Sequence, residues 1–304
     1  MSTATAEAPD PGGALARLLR APTAFYRDRL AALGARAALA AVPLSRRAEL
    51  LRDQLTNLPH GTRRLAGAPP PVRVGISGSG ADLLVLAWSA ADLARERAAG
   101  VRLLGRLGLR AGMRIGNTLA GALVTPGALL LGDVVEDIGA LDVPLGTIDG
   151  EAAARQAWEL VERVRPDIVV LEAATVARFF AVRPGGEWPW WRGIVWLCRG
   201  TVATPPPVPP GFAGWQRTWL AVPEATSFVA GSCGAGRFHL DDAVLAEVVD
   251  ESTGAPVGAG GGGMLALTVP DGDAPVLRYA TNLGACAPPT PCPCGAGGTT
   301  VELR

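Results

Sequence analysis

Five cysteines and two histidines carry most of the soft-donor chemistry available to this sequence. Cys292-Pro-Cys294-Gly sets two thiols one residue apart in a tight turn, where they cannot easily bridge each other. Upstream, Cys233 and His239 flank a glycine-rich loop (CGAGRFH) able to present sulfur and nitrogen to a single ion. Cys233, His239, Cys292 and Cys294 together make a Cys₃His set, which suits a closed tetrahedral zinc site with a structural role. Cys286 competes for one of the four places. The alternative is four separate residues, each thiol a small buried hydrophobe and His239 a satisfied core histidine. An odd cysteine count argues against a disulfide framework. Cys198, ending an apolar run, reads as a buried thiol, and His60, in a loop, as a surface residue.

The charge inventory narrows the chemistry further. The 28 basic residues are all Arg and are balanced by 28 acidic ones. Without Lys there is no ammonium point charge for a transferring phosphate and no Schiff-base amine. Net neutrality leaves no basic footprint for nucleic acid. Hydrophobic residues reach 49% over 304 residues, enough for one large or two medium domains and too many for a disordered chain. The most apolar stretch, Leu119–Leu131, is broken by Pro126 and too short to span a bilayer. The N-terminus is polar and acidic, unlike a secretory signal, so a cytoplasmic protein is expected.

These side chains need a scaffold, and the hydrophobic pattern supplies one. Helices are expected over Leu15–Leu33 and over Ser45–Leu55, the second capped by Ser45, before a loop from Gly61 to Pro71. Short apolar strands then alternate with amphipathic helices. The expected strands are Val72–Ile76, Leu83–Trp88, Met113–Asn117, Leu141–Leu145, Asp167–Leu171 and Gly193–Leu197. The helices are Ala90–Leu107 (with Ser89 and Asp92 as a capping box), Gly127–Ile138, Glu151–Val164 and Ala173–Val182. That alternation is the signature of an α/β fold around a largely parallel sheet. Thr204–Gly211 (TPPPVPPG) reads as a stiff spacer. Beyond Trp219 the chain turns to β, with strands at Val244–Asp250, Met264–Val269 and Val276–Tyr279. The Gly258–Gly263 run fits a hairpin loop better than a phosphate loop, because no Lys and no helix follow. Trp188, Trp190 and Trp191 cluster in a turn and suit either an interface or a core.

Several of these segments resemble the phenylacetate–CoA ligase family of the acyl-adenylate-forming superfamily. Ala24-Phe25-Tyr26-Arg27 looks like the family's PFYR helix. Val42-Pro43-Leu44 with Glu49-Leu50-Leu51-Arg52 is similar to LPFTTKEDLR, and Ile76–Leu93 to the phosphate loop SSGTTGKPT with its following strand and helix. Asn117–Leu129 follows the Gly-rich NAYGYGLFTGGLG, and Arg165–Ile168 resembles KPDVL. Val222-Pro223-Glu224 falls at YGLSE, Arg278–Thr281 at RYRTRD, and Cys292–Gly295 at CPCG. The resemblance implies an adenylate-forming core of parallel-sheet α/β layers followed by a small zinc-stapled β region. The expected divisions are 1–70 (helices and loop), 71–218 (α/β core) and 219–304 (β-rich), with the C-terminal mini-domain and its adenylation Lys absent. It also implies zinc at Cys233, His239, Cys292 and Cys294.

The family's nucleotide-handling residues are not kept. Thr-Thr-Gly-Lys of the phosphate loop is Ser79-Gly80-Ala81-Asp82, which presents a carboxylate to a phosphate. The ribose-binding Asp falls on Leu283 or Asn282. Glu224 keeps the place of the metal-binding Glu. ATP is therefore not an expected cofactor. The expected function is a diverged protein acting on an activated acyl, aryl or polyketide-type intermediate, free or carrier-protein-bound, by cyclisation, condensation or hydrolysis. Glu224 would serve as base or anchor, Asp82 and Glu172 as further carboxylates, and Thr226 and Ser227 as donors to a carbonyl. The competing expectations are a non-catalytic scaffold for a carrier or enzyme partner, and a split ligase completed in trans. No nucleic acid or membrane partner is expected; an oligomer is compatible.

Overall fold

Ile168, Val169, Val170 and Leu171 are all fully enclosed in the computed structural model, and they show how the core is divided. Successive strand side chains point to opposite faces, so Ile168 and Val170 join one apolar cluster while Val169 and Leu171 join another. A strand buried on both faces needs helical cover on both, and the chain provides it. The structure describes residues 9–31, 33, 38–119, 130–183, 185, 187–200, 208 and 212–304.

Three helices, α1 (Pro11–Arg20), α2 (Ala24–Ala31) and α3 (Arg47–Thr56), precede a hairpin of β1 (Arg73–Ser77) and β2 (Leu84–Trp88). The α/β part follows as α4 (Ala90–Arg106), β3 (Arg114–Asn117), α5 (Leu131–Asp137), β4 (Leu141–Pro144), α6 (Glu151–Val164), β5 (Ile168–Glu172), α7 (Val176–Ala181) and β6 (Gly193–Arg199). The remainder is β7 (Trp215–Val222), β8 (Thr226–Ser232), β9 (Phe238–Leu240), β10 (Leu245–Val249), β11 (Gly262–Val269), β12 (Val276–Cys286) and β13 (Thr300–Leu303). Among the described residues, eleven strands form one sheet in the order β10-β11-β12-β13-β9-β8-β7-β6-β5-β3-β4. Pairing is parallel from β4 to β7 and antiparallel from β7 to β10. The sheet is thus mixed: its α/β half is parallel, as expected, and the β-rich half that follows is antiparallel. On the parallel half, α4 and α5 cover one face, and α6 and α7 the other.

Local signals explain most boundaries. Ser89 and Asp92 close a reciprocal capping box at the start of α4: Asp92 N donates to Ser89 Oγ at 3.1 Å and Ser89 N to Asp92 Oδ2 at 3.0 Å. The helix expected over Leu15–Leu33 is instead two, because Pro22 blocks continuation between α1 and α2. Ser45 is not the cap of α3. Its backbone pairs with β12, with Ser45 N donating to Arg278 O and Ala280 N to Ser45 O at 2.9 Å each, while its hydroxyl donates to Leu277 O at 2.7 Å. Closing the backbone ladder there outweighs one helix cap. The glycine run at 258–263 joins β10 to β11 as a hairpin loop. Of the helix expected over Gly127–Ile138, residues 127–129 lie outside the described residues, as does most of the Thr204–Gly211 spacer. Trp188 and Trp191 are buried against Trp158, Phe179 and Phe180, with Trp190 stacked on Trp191, so this cluster fills the core on the α6/α7 side. No described helix is long and apolar enough to cross a membrane.

Candidate functional site

The sheet order brings the four soft donors together. Cys233 sits in the turn after β8, His239 in the middle of β9, and Cys292 and Cys294 in the loop joining β12 to β13. Because β13 inserts between β12 and β9, that loop folds back over β9. Arg237 fastens it, donating to the carbonyls of Thr290 (2.6 Å) and Pro291 (2.9 Å) and pairing with Glu302 of β13 at 3.0 Å. All four ligand atoms lie within 4.8 Å of one another. Cys233 Sγ is 3.5 Å from Cys292 Sγ, and Cys294 Sγ is 3.2 Å from His239 Nε2. Zinc about 2.3 Å from each sulfur sets sulfur–sulfur edges near 3.8 Å, so the donors stand close to a tetrahedral shell. Gly297 O lies 3.4 Å from His239 Nδ1 and can only accept, which leaves Nε2 with its lone pair toward the sulfurs. Burial works against ionising Cys233, but backbone N–H groups of Ala235 and Arg237 with the Cys292 and His239 side chains lower its thiol to about 6. For Cys292 the N–H of Cys294 favours the thiolate, yet burial and the neighbouring sulfurs win and its thiol is raised. The donor set fits a soft, four-coordinate metal. Cys286 is not among the four: it is buried on β12 with its thiol toward Gly260 O at 3.5 Å.

A second constellation occupies the loop between β1 and β2, and its central member is a residue the motif reading did not single out. Arg47, in the first turn of α3, reaches into this loop. It donates to Ser77 O at 2.7 Å, Asp82 O at 2.6 Å and Ser77 Oγ at 3.0 Å, and pairs with the Glu224 carboxylate. Ser77 Oγ also donates to Glu224, and Arg63 donates to the Glu224 carbonyl at 2.8 Å. Glu224, 6% exposed, is thus neutralised from within the chain. Gly78 (φ +79°) lies so close that a Cβ there would run into Arg47 Nη2 and Asp82 O. Tyr279 abuts the same group; burial, then the nearby Glu224 charge, raises its hydroxyl above the ordinary value. The Asp82 side chain is exposed, facing an open groove shared with Arg46, Arg47 and Arg52. Leu283 is part of the apolar core, and Asn282 is exposed with φ 60°.

Thr226 and Ser227 open β8 beside another group that motif reading missed, Glu96 of α4. Ser227 N donates to Glu96 Oε2 at 3.1 Å, and the two hydroxyls also engage this carboxyl. Glu96 and Thr226 line a cavity of about 410 Å³ between α4, the start of β8 and the turns following β9 and β11. Burial drives the Glu96 carboxyl up to about 7, against the Thr226 and Ser227 hydrogen bonds and with added repulsion from Asp92. A carboxyl raised on folding holds its proton more tightly in the native state. Its stabilisation is therefore complete below the unfolded value of 4.5 and is lost as pH rises through about 7. With Glu96 half-buried, the span corresponds to at most about 3 kcal/mol. Glu96→Gln is expected to remove that slope, so urea midpoints of wild type and variant should converge near pH 5 and diverge in the variant's favour near pH 8. The sequence signal was available: Asp92, Ala99, Gly100 and Leu103 are the buried stripe of α4, and Glu96 sits on it at i+4 from Asp92.

The remaining expected residues do not join these groups. Glu172, at the C-terminal end of β5, pairs with Arg199 at 3.1 Å. Cys198 is buried on β6, and His60 is half-buried with Nδ1 3.4 Å from Gly61 O.

No sequence-family profile matches this chain, and no curated protein matches it in sequence. Solved structures do match in fold. An open conformation of 2-hydroxyisobutyryl-CoA ligase, in complex with its acyl-AMP and CoA, superimposes with a TM-score of 0.81 at 14% identity, covering 96% of this chain and 72% of the ligase. The same ligase in its postadenylation state is covered over 65% of its length. More distant are a long-chain-fatty-acid-CoA ligase from Archaeoglobus fulgidus (TM-score 0.56, 9% identity, 76% of this chain and 50% of that one) and the amide bond synthetase McbA from Marinactinospora thermotolerans (0.52, 18%, 79% and 50%). With its mixed sheet clad in helices and its strand order, this chain has the fold of the adenylate-forming enzyme core, and its structural neighbours are acyl- and aryl-CoA ligases.

Proposed function

We propose that this chain is a diverged acyl/aryl-CoA-ligase-like protein that does not adenylate, and that it acts on an acyl compound already activated as a thioester. The observation that carries this reading is the Arg47 guanidinium inside the β1–β2 loop. A phosphate cradle turns N–H groups and a cation toward the anion. Here the carbonyls of Ser77 and Asp82 turn inward, and Arg47 is committed to them and to Glu224. Nucleotide binding would have to break those bonds and strand a buried carboxylate. Leu283 in the core and the exposed Asp82 carboxylate support the same conclusion. Glu224 then acts as a positioning residue that keeps this loop closed.

The group left to move protons is Glu96. Near neutral pH it is poised between its two forms, held by Thr226 and Ser227 beside the cavity. As an O–H or N–H nucleophile attacks the thioester carbonyl, Glu96 takes its proton. It returns the proton to the departing thiolate as the carbon–sulfur bond breaks. Hydrolysis, condensation and cyclisation differ only in which nucleophile occupies the cavity. Cys233, His239, Cys292 and Cys294 would hold a structural zinc, which supplies a cross-link between β9 and the β12–β13 loop and no reactive position. Purified protein is expected to consume acyl-CoA or acyl-pantetheine thioesters, with Glu96→Gln lowering kcat by about 100-fold or more while the protein stays folded. Turnover unchanged in Glu96→Gln would remove that residue from the reaction, and ATP–pyrophosphate exchange with an organic acid would overturn the reading as a whole.

A further inference from the structure

Glu96, half-buried on α4, stands apart from the buried carboxylates of this protein. Asp92 is paired with Arg95, Asp167 with Arg114 and Arg192, Glu224 with Arg47, and Asp241 with Arg102. Among the described residues Glu96 forms no ion pair, and the charge that bears on it is that of another carboxylate, Asp92. Its cavity offers no spare cation. The two arginines in its walls are spoken for, Arg95 by Asp92 and Arg102 by both oxygens of Asp241 at 2.7 and 2.9 Å. Asp271, also in the wall, forms no ion pair among the described residues and adds further negative charge. The rest of the lining is apolar or small, including Trp88, Val244 and Val269.

A half-buried carboxyl at an apolar cavity wall with no cation beside it is unfavourable to ionise, and a ligand bringing a cation relieves that cost. We infer that the cavity beside α4 binds a small primary or secondary amine with a compact apolar body, its ammonium paired with Glu96. The apolar walls take the body, and an aromatic wall such as Trp88 favours a cation over a neutral group of the same shape. The volume of about 410 Å³ accommodates a single-ring or indole amine. Taking this cavity as the reaction site rests on the proposed function, where the amine would be the nucleophile that accepts the acyl group. Binding itself does not depend on turnover, so the two can fail separately.

The test titrates the intact protein with 2-phenylethylamine and tryptamine, and with 2-phenylethanol as the neutral isostere, near pH 8 where the Glu96 carboxyl is ionised. Calorimetry is expected to show saturable amine binding at least about tenfold tighter than the alcohol, and at least about tenfold weaker in Glu96→Gln. Ala98→Phe, which fills the cavity from α4 and leaves Glu96 in place, is expected to abolish binding of both amines and of the alcohol. Equal affinity for amine and alcohol, amine binding of undiminished affinity in either variant, or no amine binding at all would overturn the inference. Thioester turnover that persists without amine binding would leave the proposed function standing, and pyrophosphate exchange alongside amine binding would do the reverse.

Discussion

Truncating Cys294 to Ala is expected to destabilise the protein by about 3 kcal/mol or more, far beyond what an exposed side chain ordinarily contributes. Cys294 is exposed, and as a free surface thiol its loss should fall within about 0.5 kcal/mol. What changes the expectation is its place 3.2 Å from His239 Nε2, in a set whose four ligand atoms lie within 4.8 Å of one another. The β12–β13 loop carries many exposed residues between 293 and 299 and has little apolar surface of its own to anchor it. A metal held there would stabilise the segment that carries β13 into its slot between β12 and β9. Chelator treatment of wild type should reproduce the loss, and the variant should be indifferent to chelator. Metal analysis should return about one zinc per chain, with proton release on reloading the stripped protein, since thiols must ionise to ligate. A Cys294→Ala protein as stable as wild type would mean that no metal is held.

Arg47→Met is expected to be similarly costly, at about 3–5 kcal/mol, for a different reason. The substitution keeps much of the apolar stem but leaves Glu224 buried without its guanidinium and the carbonyls of Ser77 and Asp82 without a donor. Adding Glu224→Gln in the same chain is expected to recover roughly half of the loss, because a neutral amide no longer demands a cation. Urea denaturation of the two singles and the double measures that coupling. If the singles add without interaction, Arg47 and Glu224 are not partners in solution.

How far the sequence spoke for itself depended on whether the signal was local. The Ser89/Asp92 box, the boundaries of α6 and the two-faced burial of β5 all follow from neighbours in the chain, and each could be read directly. So could the Cys₃His set, since soft donors are few and their residue types restrict their use. The role of Ser45 is hidden because the partners of its backbone, Arg278 and Ala280, and of its hydroxyl, Leu277, lie more than two hundred residues away. The antiparallel half of the sheet is harder to read for a related reason: β9 and β13 are only three and four residues long and are placed by pairing with neighbouring strands, too short to show an apolar pattern of their own. Arg47 was invisible among so many arginines; only the closure of the β1–β2 loop onto α3 gives it a role. Glu96 was legible in principle, as a carboxylate on the buried stripe of α4, but the cavity that makes it matter is formed by turns after β9 and β11.

The closed β1–β2 loop is the feature on which the functional account turns, and direct titration with Mg²⁺–ATP probes it most simply. Calorimetry and thermal melting on the intact protein are expected to show no saturable nucleotide binding and no rise in Tm up to about ten millimolar ATP, since a ligand selective for the folded state must raise Tm. Saturable binding at or below about one millimolar, with a matching rise in Tm, would show that Arg47 yields its place to a phosphate, and would contradict the account.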